Sequence, residues 1–416
     1  MRNWSETVRY SASRQVRPAS LEQLRDLVSG SRHVKALGSR HSFNDIGDTP
    51  GVQIALDEMP RYVDVSADRG LVTCNAGLTH SELSLELEKH GLALPNLASL
   101  PHISVGGAIQ TGTHGSGSGN AALSANVESI EIVTADGDVR LVRTGDRDFN
   151  GVVVGLGAFG VVHRVTQRCV PSFRMTQTVH ENLPWATLLP RLEEVMASAY
   201  SVSLFTRYDT SAVAQVWVKS RAHDPASLDL AELGATAATR TLHPLPDTPS
   251  DNVTEQLGAP GASHERLPHF RHGFKPGRGD EIQSEYLVAA SGHGAEAIDA
   301  LRAIGSVIAP VLHVAELRRV APDDAWLSPS SGRDSLALHF TWQRRPEAVA
   351  AVLPRVEDAL EPFGARPHWG KLFAVEPAKL RTAYAHFDEF VSLLERWDPD
   401  GTFDNPFLQR LFARPL

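Results

Sequence analysis

Three segments in the second half of the chain contain polar side chains two residues apart, a spacing that puts both side chains on one face of a β-strand. In EIQSEYLV, LHVAELRRV and SLALHFTW the pairs are Gln283 and Glu285, Glu316 and Arg318, and His339 and Thr341. An exposed sheet face accounts for any single pair equally well. The three pairs together favour the wall of a wet pocket that hydrogen-bonds a hydroxylated ligand.

A fourth segment, HWGK at 368–371, places the cation of Lys371 beside two aromatic residues. A cation in a partly dry site can stabilise a developing negative charge. A surface lysine next to a structural tryptophan is the other interpretation of this segment, and the segment alone is compatible with both.

The most glycine-rich stretch of the first half is LALPNLASLPHISVGGAIQTGTHGSGSGN at 92–120. Glycines let backbone N–H groups approach a phosphate closely, and Ser104 can cap a short helix whose N-terminus favours an anion. The stretch therefore suggests a pyrophosphate cradle, although such turns are often structural. It contains neither G-x-x-x-x-G-K-[ST] nor a strand leading into G-x-G-x-x-G, which argues against a P-loop NTPase and a Rossmann NAD site.

Short helices and strands alternate through the first half and would position these residues. A predicted strand at 34–37 leads into the polar loop GSRHSFND at 38–45, where a strand end can present a reactive side chain. The patterns S-x-x-Q from Ser20 and T-x-x-E from Thr79 predict capping boxes at the start of two helices. Turns are predicted at 68–70 and at 135–138.

The second half is predicted to be a sheet backed by helices. The three polar-paired segments read as strands, with helical stretches near 294–307 and 346–361. Residues 222–280 are rich in Pro, Gly, Ser and His and lack periodicity, which predicts long surface connections.

Composition and charge exclude several classes of protein. A chain of 416 residues predicts two domains, or one with a large insertion. A net charge of -9 argues against charge-driven binding to nucleic acid or to an anionic membrane. Cys74 and Cys169 are too few for a disulfide scaffold and predict buried free thiols in a reducing compartment. With no secretory signal or membrane-spanning run, we expect a soluble cytoplasmic protein.

Six segments of the chain resemble, in the same order, motifs of the alditol oxidases (xylitol oxidases) of the vanillyl-alcohol oxidase flavoprotein family. The resemblance covers nearly the whole chain and includes both of its halves. The motifs are GSRHSFND at 38–45, LPNLASLPHISVGGAIQTGTHGSGSGN at 94–120, GLGAFGVV at 155–162, AELRRV at 315–320, HFTW at 339–342 and RPHWGK at 366–371.

The resemblance implies an α+β fold with two domains. An FAD-binding domain of the vanillyl-alcohol oxidase (PCMH) type would comprise residues 1–175, completed by a C-terminal segment at about 372–416. A substrate-binding (cap) domain, with a mixed or antiparallel sheet covered by helices, would comprise residues 176–371.

The resemblance also implies a covalently bound FAD, with His41 bonded to the 8α methyl group of the flavin. Some alditol oxidases have glycine where this chain has Arg40. The matching cofactor-binding positions are Gly38, Ser39, Arg40, His41, Ser42, Ser99, Gly106, Gly107, Thr111, Gly112, Thr113, His114, Gly115, Gly157, Gly160 and Val162. No metal site is expected, because the spacing of His102 and His114 fits no common zinc pattern.

The reaction implied is the oxidation of the terminal alcohol of a small polyol such as xylitol or sorbitol, with hydride passing to flavin N5 and O2 reduced to hydrogen peroxide. The matching substrate-binding positions are Ser99, Gln283, Glu316, Arg318, His339, Thr341 and Lys371. Among these, Arg318 and Lys371 would stabilise alkoxide character, Glu316 would hold Arg318 in place, and either His339 or a solvent molecule would take the hydroxyl proton.

Other functions remain open at this stage. An aldonolactone oxidase or dehydrogenase of the same fold would share His41 and the glycine-rich stretch. A sugar-binding or regulatory protein could keep FAD only as structure. We expect a polyol and O2 as partners, no nucleic acid or membrane, and a monomeric protein.

Overall fold

The computed structural model describes residues 1–274 and 280–412 of the chain, and short strands and helices follow one another along them. The strands are β1 (Arg14–Val16), β2 (Val34–Leu37), β3 (Val52–Ala55), β4 (Val63–Ser66), β5 (Leu71–Asn75), β6 (Leu92–Ala93), β7 (Val127–Val133), β8 (Val139–Arg143), β9 (Val161–Arg168), β10 (Val170–Pro171), β11 (Arg174–Pro184), β12 (Ser201–Thr206), β13 (Ala212–Arg221), β14 (Thr236–Ala237), β15 (Gly261–Ala262), β16 (Glu281–Ala289), β17 (Leu312–Val320), β18 (Ser335–Gln343) and β19 (Arg366–Pro367).

The α-helices of the same residues are mostly short. They are α1 (Leu21–Ser29), α2 (His80–Lys89), α3 (Val105–Gln110), α4 (Phe149–Val152), α5 (Trp185–Leu188), α6 (Leu192–Ala197), α7 (Gly294–Ala303), α8 (Gly305–Ile308), α9 (Pro346–Leu360), α10 (Pro377–Ala383), α11 (Phe387–Trp397) and α12 (Pro406–Phe412).

The first half contains two main sheets. Strands β1, β3 and β2 form a parallel sheet in that order. Strands β4, β5, β9, β7 and β8 form an antiparallel sheet. An apolar core joins residues of this half to the C-terminal helices, where Phe390, Leu394 and Phe407 are buried. The loop after β2 and the helix α3 lie at the surface of this core that faces the second half.

The second half is organised by one large antiparallel sheet. Its order in the described residues is β14-β11-β13-β12-β17-β18-β16-β19, with β15 added beside β11. Apolar side chains on one face, including Tyr286 and Phe340, form a core with Ile298 of α7 and Val356 of α9. The opposite face contains the polar pairs. The α+β class predicted above is confirmed.

Local signals in the sequence set several element boundaries. Thr79 and Glu82 form the full capping box at the start of α2. Ser20 accepts from the backbone of Gln23 as predicted, but the Gln23 side chain accepts from the N–H of Ala19. Ser104 occupies the N-cap position of α3 without capping it, because its Oγ atom accepts from the backbone N–H of Ser39 instead.

Residues 222–280 are largely irregular, as predicted, and residues 275–279 of this stretch lie outside the described residues. So do residues 413–416 at the end of the expected C-terminal segment. Cys74 is a buried free thiol and Cys169 a partly exposed one, so only the first fits the prediction fully. Within the described ranges, no helix is both long and apolar enough to cross a membrane.

Candidate functional site

A single cavity of about 1260 Å³ connects the two halves of the described chain. This volume exceeds the roughly 300–1,000 Å³ of sites for drug-sized ligands, so it can hold a dinucleotide cofactor together with a small molecule. The sequence-predicted residues that line it are Gly38, Ser39, Arg40, His41, Ser42, Ser99, Gly106, Gly107, Thr111, Thr113, His114, Gly157, Gly160, Val162, Gln283, Glu316, Arg318, His339, Thr341 and Lys371.

Gly112 and Gly115, which were predicted to bind the cofactor, do not line the cavity themselves. Gly112 packs against Pro329, and its φ of 64° favours glycine. A Cβ atom on Gly115 would lie 2.3 Å from the carbonyl oxygen of Leu97, so any larger residue would force the backbone apart. These two glycines therefore shape the turn that presents Thr113 and His114 to the cavity.

The polar pairs of β16, β17 and β18 form a buried wall of the cavity. We call these six residues the polar wall: Gln283, Glu285, Glu316, Arg318, His339 and Thr341. The strand register aligns Glu285, His339 and Glu316 in one row across the sheet, and Gln283 with Thr341 in the next row. Every member is less than 10% exposed, so the pairs do not form an exposed sheet face.

The carboxylate of Glu285 holds Arg318 in place. Arg318 Nη2 donates to Glu285 Oε1 at 2.5 Å, and Arg318 Nη1 donates to Ser99 Oγ at 3.2 Å. Burial would raise the pKa of Glu285, but the charge of the adjacent Arg318 guanidinium, helped by its imidazole neighbours, keeps it well below its ordinary value. Glu316 also forms an ion pair with Arg318, with 3.7 Å between its Oε1 atom and Arg318 Nε, but no hydrogen bond joins the two, so Glu285 makes the closer contact.

Lys371 lies at the edge of the polar wall. Its Nζ atom donates to Gln283 Oε1, and lies 3.3 Å from His339 Nδ1 and 3.9 Å from Glu285 Oε2. Burial lowers the pKa of Lys371 to about 8, although the charge of Glu285 opposes this. Burial likewise lowers the pKa of His339 to about 4, so this imidazole is neutral at pH 7.

A second chain of contacts reaches Glu316 from beside the polar wall, on the same face of the sheet, and its member His269 also lines the cavity. His269 Nε2 lies 2.7 Å from Glu316 Oε1, and His269 Nδ1 lies 3.1 Å from Lys219 Nζ. All three side chains are buried. Burial lowers the pKa of Lys219 to about 7 and that of His269 to about 4.

Glu285 could have been identified from the sequence, but His269 could not. Glu285 shares a strand face with Gln283, so the two-residue spacing already pointed to it. His269 lies in the irregular stretch 222–280, where no periodicity marks a side chain as buried. His114, predicted as a cofactor contact, has its Nε2 atom 3.4 Å from Glu285 Oε1 and therefore also supports the polar wall.

His41 projects from the loop that follows β2. Both of its ring nitrogens are buried and form no hydrogen bond, and burial lowers its pKa to about 4. The Trp4 indole stacks on the imidazole, with ring centroids 5.3 Å apart and planes at 21°. The neighbouring Arg40 has φ of 64°, a conformation that favours glycine.

These features fit the expected flavin. A buried imidazole without partners is costly unless a ligand contacts it, and His41 is such an imidazole in the cavity lining. Gly38 and Gly107 leave room beside Ser104, where a Cβ atom on either would lie less than 3 Å from Ser104 Oγ. The buried Lys35, which the sequence analysis missed, lines the cavity and donates to the carbonyl groups of Gly157 and Phe403.

Two protein-family models match the chain. A model described as an FAD binding domain matches residues 12–143, and a model described as D-arabinono-1,4-lactone oxidase matches residues 282–411. The first match contains the loop of His41 and the glycine-rich stretch. The second contains the polar wall and Lys371.

Curated relatives match over nearly their whole length. Alditol oxidase of a Streptomyces species is 45% identical over 98% of this chain and 98% of its own. L-gulono-1,4-lactone dehydrogenase of Mycobacterium tuberculosis is 30% identical over 99% of this chain and 98% of its own. L-gulonolactone oxidase of Mus musculus is 27% identical over 99% of this chain and 97% of its own.

Among solved structures, cholesterol oxidase from B. sterolicum superposes with a TM-score of 0.78 over 99% of this chain and 96% of its own, at 14% identity. A solvent-stable cholesterol oxidase superposes with the same score at 16% identity, over 99% of this chain and 97% of its own. At these identities the likeness concerns the fold, which is thus one that other oxidases adopt.

Proposed function

The chain belongs to the alditol oxidases of the vanillyl-alcohol oxidase family of FAD flavoproteins, and from this premise we propose that it oxidises the terminal primary alcohol of alditols such as xylitol and sorbitol to the aldose. The observation that supports this most directly is that the polar wall and Lys371 face the same cavity as His41. The chain is a flavin-dependent oxidoreductase. A cytoplasmic location and a monomeric state are part of the proposal.

FAD held by the loop of His41 and by the glycine-rich stretch at Gly106 and Gly107 would supply the acceptor for the hydride of the alcohol carbon, and O2 would take up the two electrons as hydrogen peroxide. The protein must hold that carbon in a near-attack position, roughly 3–3.5 Å from the acceptor atom with its C–H bond aligned. Contacts at several hydroxyl groups of the polyol would fix this position. Ser99, Gln283, His339 and Thr341 would provide them.

Arg318 and Lys371 would stabilise the negative charge that develops on the reacting oxygen as the hydride leaves. Arg318 is buried and the side chain of Lys371 is only 16% exposed, so their field is weakly screened, and one preorganised donor of this kind can contribute ~3 kcal/mol. Glu285 holds Arg318 before the substrate arrives, so little reorganisation is needed. His339, neutral at pH 7, has a lone pair that can take the hydroxyl proton.

The polar wall would also select polyols over simple alcohols. A ligand without the matching hydroxyl groups would leave buried polar atoms of the wall unpaired, which costs binding free energy. The wall contains two carboxylates, and Arg318 and Lys371 balance their charge, so a neutral polyol adds no uncompensated charge.

We further propose that His41 bonds covalently to the flavin. Its neutral, unpartnered ring nitrogens support this, because one of them must be free to form the bond. The substrate class is supported by the Streptomyces alditol oxidase, which is 45% identical to this chain, whereas the mycobacterial lactone dehydrogenase is 30% identical.

A lactone oxidase or dehydrogenase is the second candidate. It is favoured by the family model that matches residues 282–411 and by the mycobacterial relative. Such an enzyme would use the same cofactor site, so the choice depends on which substrate reduces the flavin.

Two measurements test these proposals. Purified protein is precipitated with acid, and we expect yellow colour to stay in the pellet for the wild type and to wash out for His41→Ala. Anaerobic addition of xylitol should then bleach the flavin of the wild type, whereas L-gulono-1,4-lactone should bleach it more slowly. Loss of colour from the wild-type pellet would refute covalent attachment of the flavin to His41. Faster bleaching by the lactone would refute the proposal that alditols are the substrates.

A further inference from the structure

Glu316 faces the cavity and is reached by two residues that lie beside the polar wall on the same face of the sheet, of which His269 also lines the cavity. Its Oε1 atom is engaged by His269 Nε2 at 2.7 Å, and His269 in turn contacts Lys219 Nζ at 3.1 Å. Lys219 and His269 are absent from the motifs that carried the resemblance. They come from β13 and from the irregular stretch before β16.

The hydrogen bonds around Lys219 use all three donors of an ammonium group. Lys219 Nζ donates to the carbonyl oxygens of Leu267 at 2.6 Å and Pro268 at 3.1 Å, and the third contact is His269 Nδ1. Two of these acceptors have no proton to give. At 2.7 Å the ionised Glu316 carboxylate requires a proton on His269 Nε2, so Nδ1 is the acceptor in the contact with Lys219.

This assignment fixes the proton of His269 on its other nitrogen. A neutral imidazole whose Nδ1 accepts must have its hydrogen on Nε2, and that N–H points at Glu316 Oε1. The contact would be repulsive in the opposite tautomer, since a lone pair would face an ionised carboxylate. Arg318 and His269 lower the pKa of Glu316 well below its ordinary range, against the effect of burial.

Packing prevents the imidazole from rotating away. His269 lies between Phe205 and Trp217, with ring centroids at 5.6 Å and 5.1 Å. Its backbone N–H donates to the carbonyl oxygen of Ser99 at 3.0 Å, which links it to another predicted substrate contact. The ring is therefore held in place, with its Nε2–H directed at Glu316 and its Nδ1 directed at Lys219.

We propose that Lys219 and His269 are positioning residues that hold Glu316 ionised and oriented, so that its second carboxylate oxygen accepts a hydrogen bond from a hydroxyl group of the polyol. This inference rests on the proposed oxidation of polyols. The hydrogen bonds of Arg318 go to Glu285 and Ser99, and its contact with Glu316 is a longer ion pair at 3.7 Å, so we expect Lys219 and His269 to act mainly on substrate binding.

The test compares KM and kcat for xylitol in four variants of the FAD-loaded protein. Lys219→Met removes the donors but keeps the length of the side chain. His269→Phe removes the donor to Glu316, whereas His269→Gln keeps an N–H near the position of Nε2. Ser284→Ala is the matched control, because it deletes a buried hydrogen bond, from Trp342 Nε1, on the helix-facing side of the same sheet.

We expect Lys219→Met and His269→Phe to raise KM about ten- to one-hundred-fold with kcat changed less than about threefold, since a charged hydrogen bond to bound substrate is lost. His269→Gln should restore most of the affinity, and Ser284→Ala should leave KM unchanged. If Lys219→Met does not fold, the comparison of His269→Phe with His269→Gln still tests the inference. Equal KM for His269→Phe and the wild type, or equal KM for His269→Phe and His269→Gln, would overturn the inference.

The design separates this inference from the proposed function. If xylitol fails to reduce the wild-type flavin, the proposed function is wrong. If xylitol reduces the wild type and the variants alter only kcat or thermal stability, the substrate class stands and the role of Lys219 and His269 is refuted.

Discussion

At the scale of single residues, burial gives the cationic side chains of the cavity their chemistry. An ammonium group taken out of water loses its proton more easily, and the pKa of Lys371 falls to about 8 for this reason. Glu285 limits the fall by offering a compensating charge. Lys371 is thus a cation at pH 7 that titrates within the range where enzymes are assayed.

The titration of Lys371 predicts a pH dependence of the reaction. Its cationic form, present below about pH 8, is the one that stabilises the developing alkoxide. We expect kcat/KM for xylitol to fall as the pH rises through about 8. In Lys371→Met we expect kcat/KM to be lower by about 100- to 1,000-fold and to show no such fall near pH 8. Profiles of both proteins between pH 6 and pH 10 check this, and a variant that retains the fall would contradict it.

At the scale of elements, the segment before β1 braces the loop that presents His41. Asn3 Nδ2 donates to the carbonyl oxygen of Ser42 at 3.0 Å, and the backbone N–H of Trp4 donates to that of Arg40 at 2.8 Å. The stacked indole of Trp4 fixes the plane of the imidazole while leaving both ring nitrogens free. This bracing would orient the imidazole for bond formation.

Loss of the indole should therefore reduce covalent attachment more than cofactor binding. We expect Trp4→Leu to bind FAD but to retain less of it after acid precipitation, and Trp4→Phe to be close to the wild type. Trp326→Leu is the control, because Trp326 stacks on His386 with similar geometry, at 5.5 Å and 26°, and does not line the cavity. Equal retention in Trp4→Leu and Trp326→Leu would show that the stack has no special role.

Regular elements could be predicted from the sequence because their signals are local. The capping box at Thr79 and the alternation in β16, β17 and β18 depend on residues a few positions apart. The placement of His269 could not be predicted, since it depends on Lys219 and Glu316, which are distant in sequence. The contact of Arg318 with Glu285, in addition to Glu316, likewise depends on the order of the strands, since β16 and β17 lie on either side of β18.

At the scale of the whole molecule, the cavity lies where the two halves meet, so a cofactor that fills it contacts both. A ligand that binds only the native state raises the free energy of unfolding as its free concentration rises. The increase is about 2.7 kcal/mol when the ligand is at about 100 times its Kd. A tethered cofactor does not exchange with free ligand. Tethered and untethered protein should thus respond differently to added FAD.

Thermal unfolding of His41→Ala should depend on FAD concentration, with Tm rising as FAD is added. The wild type should show no such dependence, because its site is already filled by the attached cofactor. Tm measured across a series of FAD concentrations checks both expectations. A wild-type Tm that rises in parallel with that of the variant would mean that the cofactor exchanges freely.

Distant parts of the chain converge on the loop that follows β2. Asn3 bonds to this loop at Ser42, and Asn405 donates to the carbonyl oxygens of Ile46 and Asp48 at 3.0 Å and 2.8 Å. A ribosome adding about 5–20 residues per second makes residue 405 roughly 20 to 80 s after residue 3. The nascent chain therefore cannot form the Asn405 contacts during most of its synthesis, and we expect the cofactor to bind only when translation is nearly finished.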